Sequence, residues 1–557
     1  MHIVLDRSGA TVGAIRLDDA GAVIDERTIP ADDLVDFVRT AEAESPRWVW
    51  NDTRAWYPRL LAAGVRVSRC VDLQLSHRIV RMSTLTAESD LARALPGPWD
   101  TAPELDEEPE RRHTALFEFE VDGAEAHASP LDEFRAQSNA VAACAEPGRI
   151  RLLLAAESAG ALIASEMRFA GLPYSVARHD ALLTGLLGPR PLAGARPAAL
   201  EQLLLEIRDA LESPTLNPDS PPELLRALQR VGLMATSTRS WELRELEHTV
   251  IEPLLQYKKL SRLLTANGWA WLDAWIVDGR FRPDYVPGGV VTGRWATRGG
   301  GALQLPRHVR GAVVADPGWK LVVADAAQLE PRILTGLSGD TAMAEAGRGK
   351  DLYEGIVASG AVDERAHAKV AMLGAMYGAT TGESGRLLPR LTRAFPRAVR
   401  LVEEAARAGE RGEIVTSRLG RSSPKPGPSW LAAQSVASGA ESTDADERRA
   451  RSQARDWGRF TRNFVVQASA AEWALCWMAG LRNRLTELAP SARIGEGPHL
   501  VYFLHDEVIV HAPASLAERT AEAVVDSAAE AGRLLFGGFP VEFPVTAAVV
   551  DDYAQAK

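Results

Sequence analysis

The sequence predicts an α+β multi-domain protein that begins with a small α/β unit. Strand-like runs at His2 to Leu5, Thr11 to Leu17 and Trp48 to Trp50 alternate with helical ones over residues 1 to about 80, the pattern of a sheet covered by helices. From Ile150 the pattern turns helical, through "RLLLAAESAGALIASEMRFAGL", Leu200 to Leu211, Pro222 to Val231 and Trp241 to Leu264. Strands return with "KLVVAD", Lys320 to Asp325, and with "VYFLHDEVIVHA", Val501 to Ala512. A chain of 557 residues exceeds one compact core, and at roughly 150 residues per domain it holds about three or four units.

Two segments read as connections. Pro96 to Arg112, "PGPWDTAPELDEEPERR", is acidic and proline-rich, an exposed linker. Ser422 to Glu447 is rich in Ser, Ala, Gly and Pro and reads as a mobile insertion. The hydrophobic content of 46% and charged content of 25% are those of a soluble globular protein. No apolar run approaches the roughly 18 residues of a membrane span, and the N-terminus lacks the pattern of a signal peptide, so a cytoplasmic location is expected. Cys70, Cys144 and Cys476 are widely separated, which argues against a disulfide framework and a structural zinc site.

The net charge of -11 disfavours a polyanionic partner on average, but two windows are locally basic. Between Asp284 and Asp316 no acid occurs, while Arg294, Arg298, Arg307, His308 and Arg310 do. Between Glu383 and Glu403 lie Arg386, Arg390, Arg393, Arg397 and Arg400, at helical spacing that Pro389 and Pro396 interrupt. Each patch alone is either a solvated face or a nucleic-acid contact.

Three segments carry chemistry. Asp325 ends a strand, a position suited to a metal ligand or to a helix N-cap. Arg365, Lys369, Leu373 and Tyr377 step by four along a helix expected to end near Gly378, so they share one face. His505, Asp506 and Glu507 sit between two β-branched and aromatic runs, a hairpin tip whose charges alone would read as solvated.

In this order the segments resemble the signature motifs of the family A DNA polymerases. "DAAQLEPR", Asp325 to Arg332, is similar to the family's "DYSQIELR". Arg365, Lys369, Gly374, Tyr377 and Gly378 match its fingers-helix pattern, and His505 to Glu507 match its "HDE" hairpin. "TGRW" at Thr292 to Trp295 followed by "LQLP" at Leu303 to Pro306 resembles "TGR...LQNIP". Arg459, Asn463 and Gln467 match the "R-x3-N-x3-Q" helix, and "IEPLLQYKKLSRLL", Ile251 to Leu264, resembles the thumb helix.

The resemblance implies a right-hand polymerase, with an antiparallel palm sheet and helical fingers and thumb, preceded by an α/β RNase H-like exonuclease-type domain. The expected division is 1–145 for the exonuclease-like unit and 146–557 for the polymerase. Within the latter the thumb covers about 195–270, the palm about 271–334 and 455–557, and the fingers about 335–454. The implied activity is DNA-templated addition of deoxynucleotides to a primer 3'-hydroxyl, in repair or replication gap filling. The expected molecule is a monomer without membrane contact that meets the nucleoid through DNA.

The implied chemistry uses two Mg²⁺ ions, replaceable by Mn²⁺, about 3.5 to 4 Å apart, with Asp325 and Asp506 as ligands. Glu507 is expected to tune the metal site from a side chain that alternation would turn the other way. Arg365 and Lys369 would meet the triphosphate, Lys369 as proton donor. Leu373, Tyr377, Gln328 and Glu330 would complete the dNTP site, Tyr377 stacking near the templating base and Glu330 excluding a 2'-hydroxyl. Arg294, Gln304, Asn463, Gln467, Arg459, His505, Lys258 and Lys259 are the implied DNA contacts, several on the minor-groove edge where readout is sequence-blind.

The chain departs from the family pattern at Leu373, where an aromatic is usual, at Ala326, Ala327 and Pro331, and in an LQLP segment one residue shorter than LQNIP. In the N-terminal unit, Asn51, Asp52 and Asp72 resemble exonuclease motifs. Asp6, however, is followed two residues later by Ser8 rather than Glu, and no tyrosine lies between Tyr57 and Tyr174. A degenerate exonuclease-like scaffold is therefore expected, with no 5'-nuclease domain before it. Two alternatives remain: a polymerase with a working 3'-5' exonuclease, and a catalytically idle primer-template binding protein.

Overall fold

The computed structural model describes residues 1–101, 129–192, 194–301, 305–378, 382–439, 441–490 and 492–556. Much of the acidic linker, together with Leu303 and Gln304, lies outside them.

The N-terminal unit is a five-stranded sheet of order β3-β2-β1-β4-β5, with β1 His2–Ser8, β2 Thr11–Leu17, β3 Val23–Pro30, β4 Arg47–Trp50 and β5 Arg69–Asp72. β1, β2 and β3 form an antiparallel meander, while β4 and β5 continue parallel to β1. Trp48, Trp50, Ile3 and Leu5 are fully buried against helix Thr53–Ala62 and its neighbours. Parallel strands require helical crossovers, which is why helical sequence alternates with strand from β4 onward.

Helix Pro147–Ala170 is the seam of the molecule. It packs against helix Thr53–Ala62 and β5 on one side and against the long helix Asp444–Leu488 on another. Its two buried acids are both paired across the seam: Glu157 with Arg421 at 2.7 Å, and Glu166 with Arg482 at 2.7 Å and Arg66 at 3.1 Å. Beyond it come the helices Ala198–Ala210, Pro221–Arg230 and Ile251–Asn267. The helix expected over Trp241 to Leu264 is instead two helices, Ser240–Leu243 and Ile251–Asn267.

The C-terminal sheet has four antiparallel strands in the order His499–Leu504, Glu507–Pro513, Trp319–Ala326, Val545–Val550. Leu321 to Ala324 and Val508 to Val510 are buried, because helices Asp444–Leu488 and Ala517–Phe536 pack nearby. The basic stretch after Glu383 folds as Gly382–Ala394, with Pro389 inside it, and as Pro396–Glu410, which Pro396 opens; proline is well suited to a first helical turn.

Two expectations need correction. Ser422 to Glu447 is not a mobile insertion: Ser423 is fully buried, Pro428–Ala437 is a helix, and Asp444 already belongs to the long helix. The Thr443 hydroxyl and the Asp446 carboxylate cap each other's backbone there, a start signal hidden among small residues. The long helix also holds a stretch apolar enough to cross a membrane, but 83% of that window is buried inside the protein, so it is a core helix.

Candidate active site

The strand Trp319–Ala326 and the hairpin His499–Pro513 bring the sequence's two acidic motifs to one corner. In the ladder Asp325 is the direct partner of Glu507, and the Ala326 N–H donates to the Asp506 carbonyl at 2.9 Å. Asp325 and Asp506, 181 positions apart in the chain, thus end adjacent strands. The tip is tight: the Asp506 N–H donates to the Leu504 carbonyl at 2.7 Å, which makes His505 the centre of a γ-turn at φ 57°, the rarer and more strained hand.

Alternation would turn Glu507 away unless the turn rotates it inward; in the ladder it is directly opposite Asp325, and directly opposed residues in an antiparallel pair share a face, about 5 Å apart at Cβ. Its carboxylate is buried, 3.7 Å from the Arg310 guanidinium, which itself lies 4.3 Å over the Tyr553 ring. Burial and the Glu507 charge push the Tyr553 phenol well up. Among the described residues no three His, Cys, Asp or Glu side chains group closely enough to hold a metal alone. Mg²⁺ is commonly held by one or two carboxylates with waters and substrate phosphates, a donor set that Asp325 and Asp506 fit.

The fingers-type helix is Arg365–Tyr377, closed by Gly378 at φ 75°. Its Ala368, Ala371, Met372, Ala375 and Met376 are buried, so Arg365, Lys369 and Tyr377 emerge on the outer face with Leu373 half-buried. Arg365 pairs with Asp351 at 2.7 Å and lies 5.5 Å over the Tyr353 ring. That hydrogen-bonded partner raises Arg365 further. Sequence reasoning missed Asp351 and Tyr353; the only local signal, an aspartate before an apolar run, reads as an N-cap, which Asp351 also is.

Gln328, expected to touch the nucleotide, lines the cavity between these motifs and also braces the loop beside it. It has φ 50°, its amide donates to Asp351 at 2.9 Å, and its carbonyl oxygen accepts from the Leu352 N–H at 3.2 Å. Glu330 joins two motifs: one oxygen accepts from Arg294, the other from the Tyr377 hydroxyl at 2.8 Å. Gln467 donates to the same hydroxyl at 3.5 Å. Burial and Glu330 raise the Tyr377 phenol, while burial and Arg294 lower His505 and keep its imidazole neutral near pH 7.

A cavity of about 190 Å³ opens between these parts, lined by Arg294, Glu330, Leu373, His505 and Asp506, with Ala470 and Ala474 of the long helix as its apolar wall. Asn463 and Gln467 are half-buried on that helix, and Arg459 is exposed two turns before Gln467. Lys258 and Lys259 lie on Ile251–Asn267; burial lowers Lys258, while Lys259 is exposed. Gln304 lies outside the described residues.

The N-terminal acids are arranged differently. Asp52 caps helix Thr53–Ala62, and Asp72 caps Leu73–Met82 while also accepting from the Thr53 N–H at 2.8 Å. Burial and the nearby Asp52 push Asp72 well up. Asn51 accepts from the Trp56 indole at 2.7 Å.

Comparison with known proteins identifies the family. The family model described as DNA polymerase family A matches residues 195–554. The thermostable DNA polymerase I of Thermus thermophilus is 26% identical over 387 residues, covering 63% of this chain and 42% of that protein. The DNA polymerase I of Chloroflexus aurantiacus is 27% identical over 331 residues, covering 54% and 32%. The chain thus spans less than half the length of these relatives. A solved structure of the POL domain of Pol1 from M. smegmatis, in complex with DNA primer-template and dNTP, shares the fold with a TM-score of 0.68 at 17% identity, covering 100% of this chain and 95% of that one. Its architecture is therefore the α+β right hand of a polymerase, and the chain belongs to DNA polymerase family A.

Proposed function

We propose that this chain is a DNA-directed DNA polymerase that extends a primer 3'-hydroxyl with deoxynucleotides copied from a template. The observation that carries the reading is the meeting of Asp325 and Asp506 at one sheet corner, beside a cavity that Glu330, Arg294 and Leu373 also line. Asp325 and Asp506 would hold Mg²⁺, which when bound stabilises charge on the attacking and leaving oxygens. Arg365 and Lys369, exposed on one helix face, receive the triphosphate, and the Lys369 ammonium donates a proton toward the leaving pyrophosphate. Glu330, held by Arg294 and Tyr377, excludes a 2'-hydroxyl. Leu373 supplies an apolar wall in place of a ring. Arg459, Asn463, Gln467, Arg294 and His505 border the path of the primer-template, and Lys258 and Lys259 contact it from the thumb.

The N-terminal unit acts as a scaffold without exonuclease activity. Supporting this, Asp52 and Asp72 are both engaged as helix caps, and Asp72 also accepts from the Thr53 N–H. The protein works as a monomer in the cytoplasm, associated with the nucleoid.

Primer extension with Mg²⁺ and dNTPs tests the first reading: the wild-type chain should elongate a labelled primer, and retained DNA binding without elongation would leave only an idle binding protein. Incubating the labelled primer without dNTPs tests the second. Shortening that disappears in Asp72→Ala would restore a working exonuclease.

A further inference from the structure

A groove of about 880 Å³ runs along the N-terminal unit at the starts of β1, β4 and β5. Asp52 and Asp72 lie at the opposite ends of β4 and β5, so this groove is separate from the exonuclease-like corner and from the polymerase cavity. Arg47 and Arg69 are direct partners in the β4–β5 ladder. Like charges so opposed repel. Arg135, on helix Pro130–Ala143, and Arg151, on helix Pro147–Ala170, are exposed and face the same groove. Among the described residues no carboxylate forms an ion pair with any of these four arginines. The nearby acid, Asp19, is bound to the N-terminal amine.

The groove also has a ring platform. The His2 and Phe134 rings lie 5.0 Å apart at its wall, and the His2 Nδ1 is buried without a hydrogen-bond partner among the described residues. Exposed Ser138 and Asn139 add hydrogen-bonding groups. Among the described residues, Arg47 and Arg69 at the floor and Arg135 and Arg151 at the rim make this concavity basic and suited to an anion. Where the cations track a groove and rings interleave, the fitting anion is a nucleic-acid strand with unpaired bases, because phosphates meet the guanidiniums and bases meet the rings.

We propose that this groove binds single-stranded nucleic acid, as a second site apart from the polymerase cleft. Arg135 and Arg151 grip phosphates at its rim, Arg47 and Arg69 set the field at its floor, and Phe134 stacks a base.

The test is fluorescence anisotropy of a short labelled oligo-dT on the full chain, with unlabelled hairpin primer-template in excess to fill the cleft. The doubly substituted Arg135→Glu/Arg151→Glu chain should bind the oligonucleotide at least about tenfold more weakly. Its log-affinity against log-salt slope should fall by about 1.4, at roughly 0.7 per lost phosphate contact. Arg135→Lys/Arg151→Lys should stay within about threefold of wild type, since charge is kept. Both positions are exposed, so the fold and primer extension should be unaffected. Unchanged affinity in the glutamate variant, displacement of the oligonucleotide by the hairpin, or equal affinity for a blunt duplex would each overturn the proposal. The binding readout does not depend on whether the chain extends primers.

Discussion

At the scale of single residues, the sharpest expectation concerns Asp506. The Asp506→Asn side chain keeps its shape and loses the charge that a divalent cation requires. Primer extension should fall by at least about 10³-fold, with primer-template affinity within about threefold by anisotropy; a loss below about tenfold would remove Asp506 from the ligand set. Glu330 gives a second case. Its two oxygens are held by Arg294 and the Tyr377 hydroxyl, so Tyr377→Phe should release one oxygen and relax sugar selection, and Glu330→Ala should relax it further. The measurement is the ratio of dNTP to rNTP incorporation at matched concentrations, and an unchanged ratio in Glu330→Ala would end the gate assignment. These residues were legible because they recur in ordered motifs. Asp351, which pairs with Arg365, and the Arg310 beneath Glu507 were not, since each meets its partner only through tertiary packing.

At the scale of elements, the hairpin shows what holds the acidic corner in place. Arg310 comes from the short helix Arg307–Ala312, stacks on Tyr553 and faces the buried Glu507. Arg310→Leu would remove the cation facing a buried carboxylate that the Tyr553 phenol also bonds, a change of the kind that costs up to about 3–5 kcal/mol when a buried pair is broken. Urea denaturation should show that loss, and Arg310→Leu/Glu507→Leu should recover most of it. A cost below about 1 kcal/mol would mean that Arg310 does not brace the hairpin. Strands with alternating apolar residues, such as Thr11–Leu17, were readable to the residue. Val23–Pro30 was not: six of its eight residues are exposed, because an edge strand is held by backbone hydrogen bonds to one neighbour and needs no apolar stripe. The register that sets Asp325 opposite Glu507 also escaped local reading, since pairing between residues 182 positions apart leaves no mark in either segment alone.

At the scale of the whole molecule, stability should depend on pH through two buried glutamates with opposite shifts. For Glu166, burial would raise the carboxyl, but Arg482 and Arg66 outweigh it and hold it down at about 2 against an ordinary 4.5. Arg482 also donates to the carbonyls of Val67 and Ser68, so this cluster ties the N-terminal unit to the long helix. A carboxylate lowered by folding stabilises fully above 4.5 and loses that contribution as pH falls toward 2; the shift corresponds to about 3 kcal/mol at 1.36 kcal/mol per unit. Glu472 is pushed up to about 7 by burial, against the Ser417 hydroxyl and Leu419 N–H that bond to it. The folded chain therefore binds a proton there that the unfolded chain releases between about 4.5 and 7, and stability falls as pH rises through that window. Scanning calorimetry from pH 3 to 8 should find Glu472→Gln less sensitive than wild type between pH 5 and 7, because the amide has no charge to bury, its oxygen accepting from the Leu419 N–H while its nitrogen donates to the Ser417 hydroxyl. Glu166→Gln should be less sensitive below pH 4.5 and less stable at neutral pH, where Arg482 and Arg66 lose their counter-charge. Parallel wild-type and Glu166→Gln profiles below pH 4.5 would mean that the interdomain cluster is not what acid dissolves.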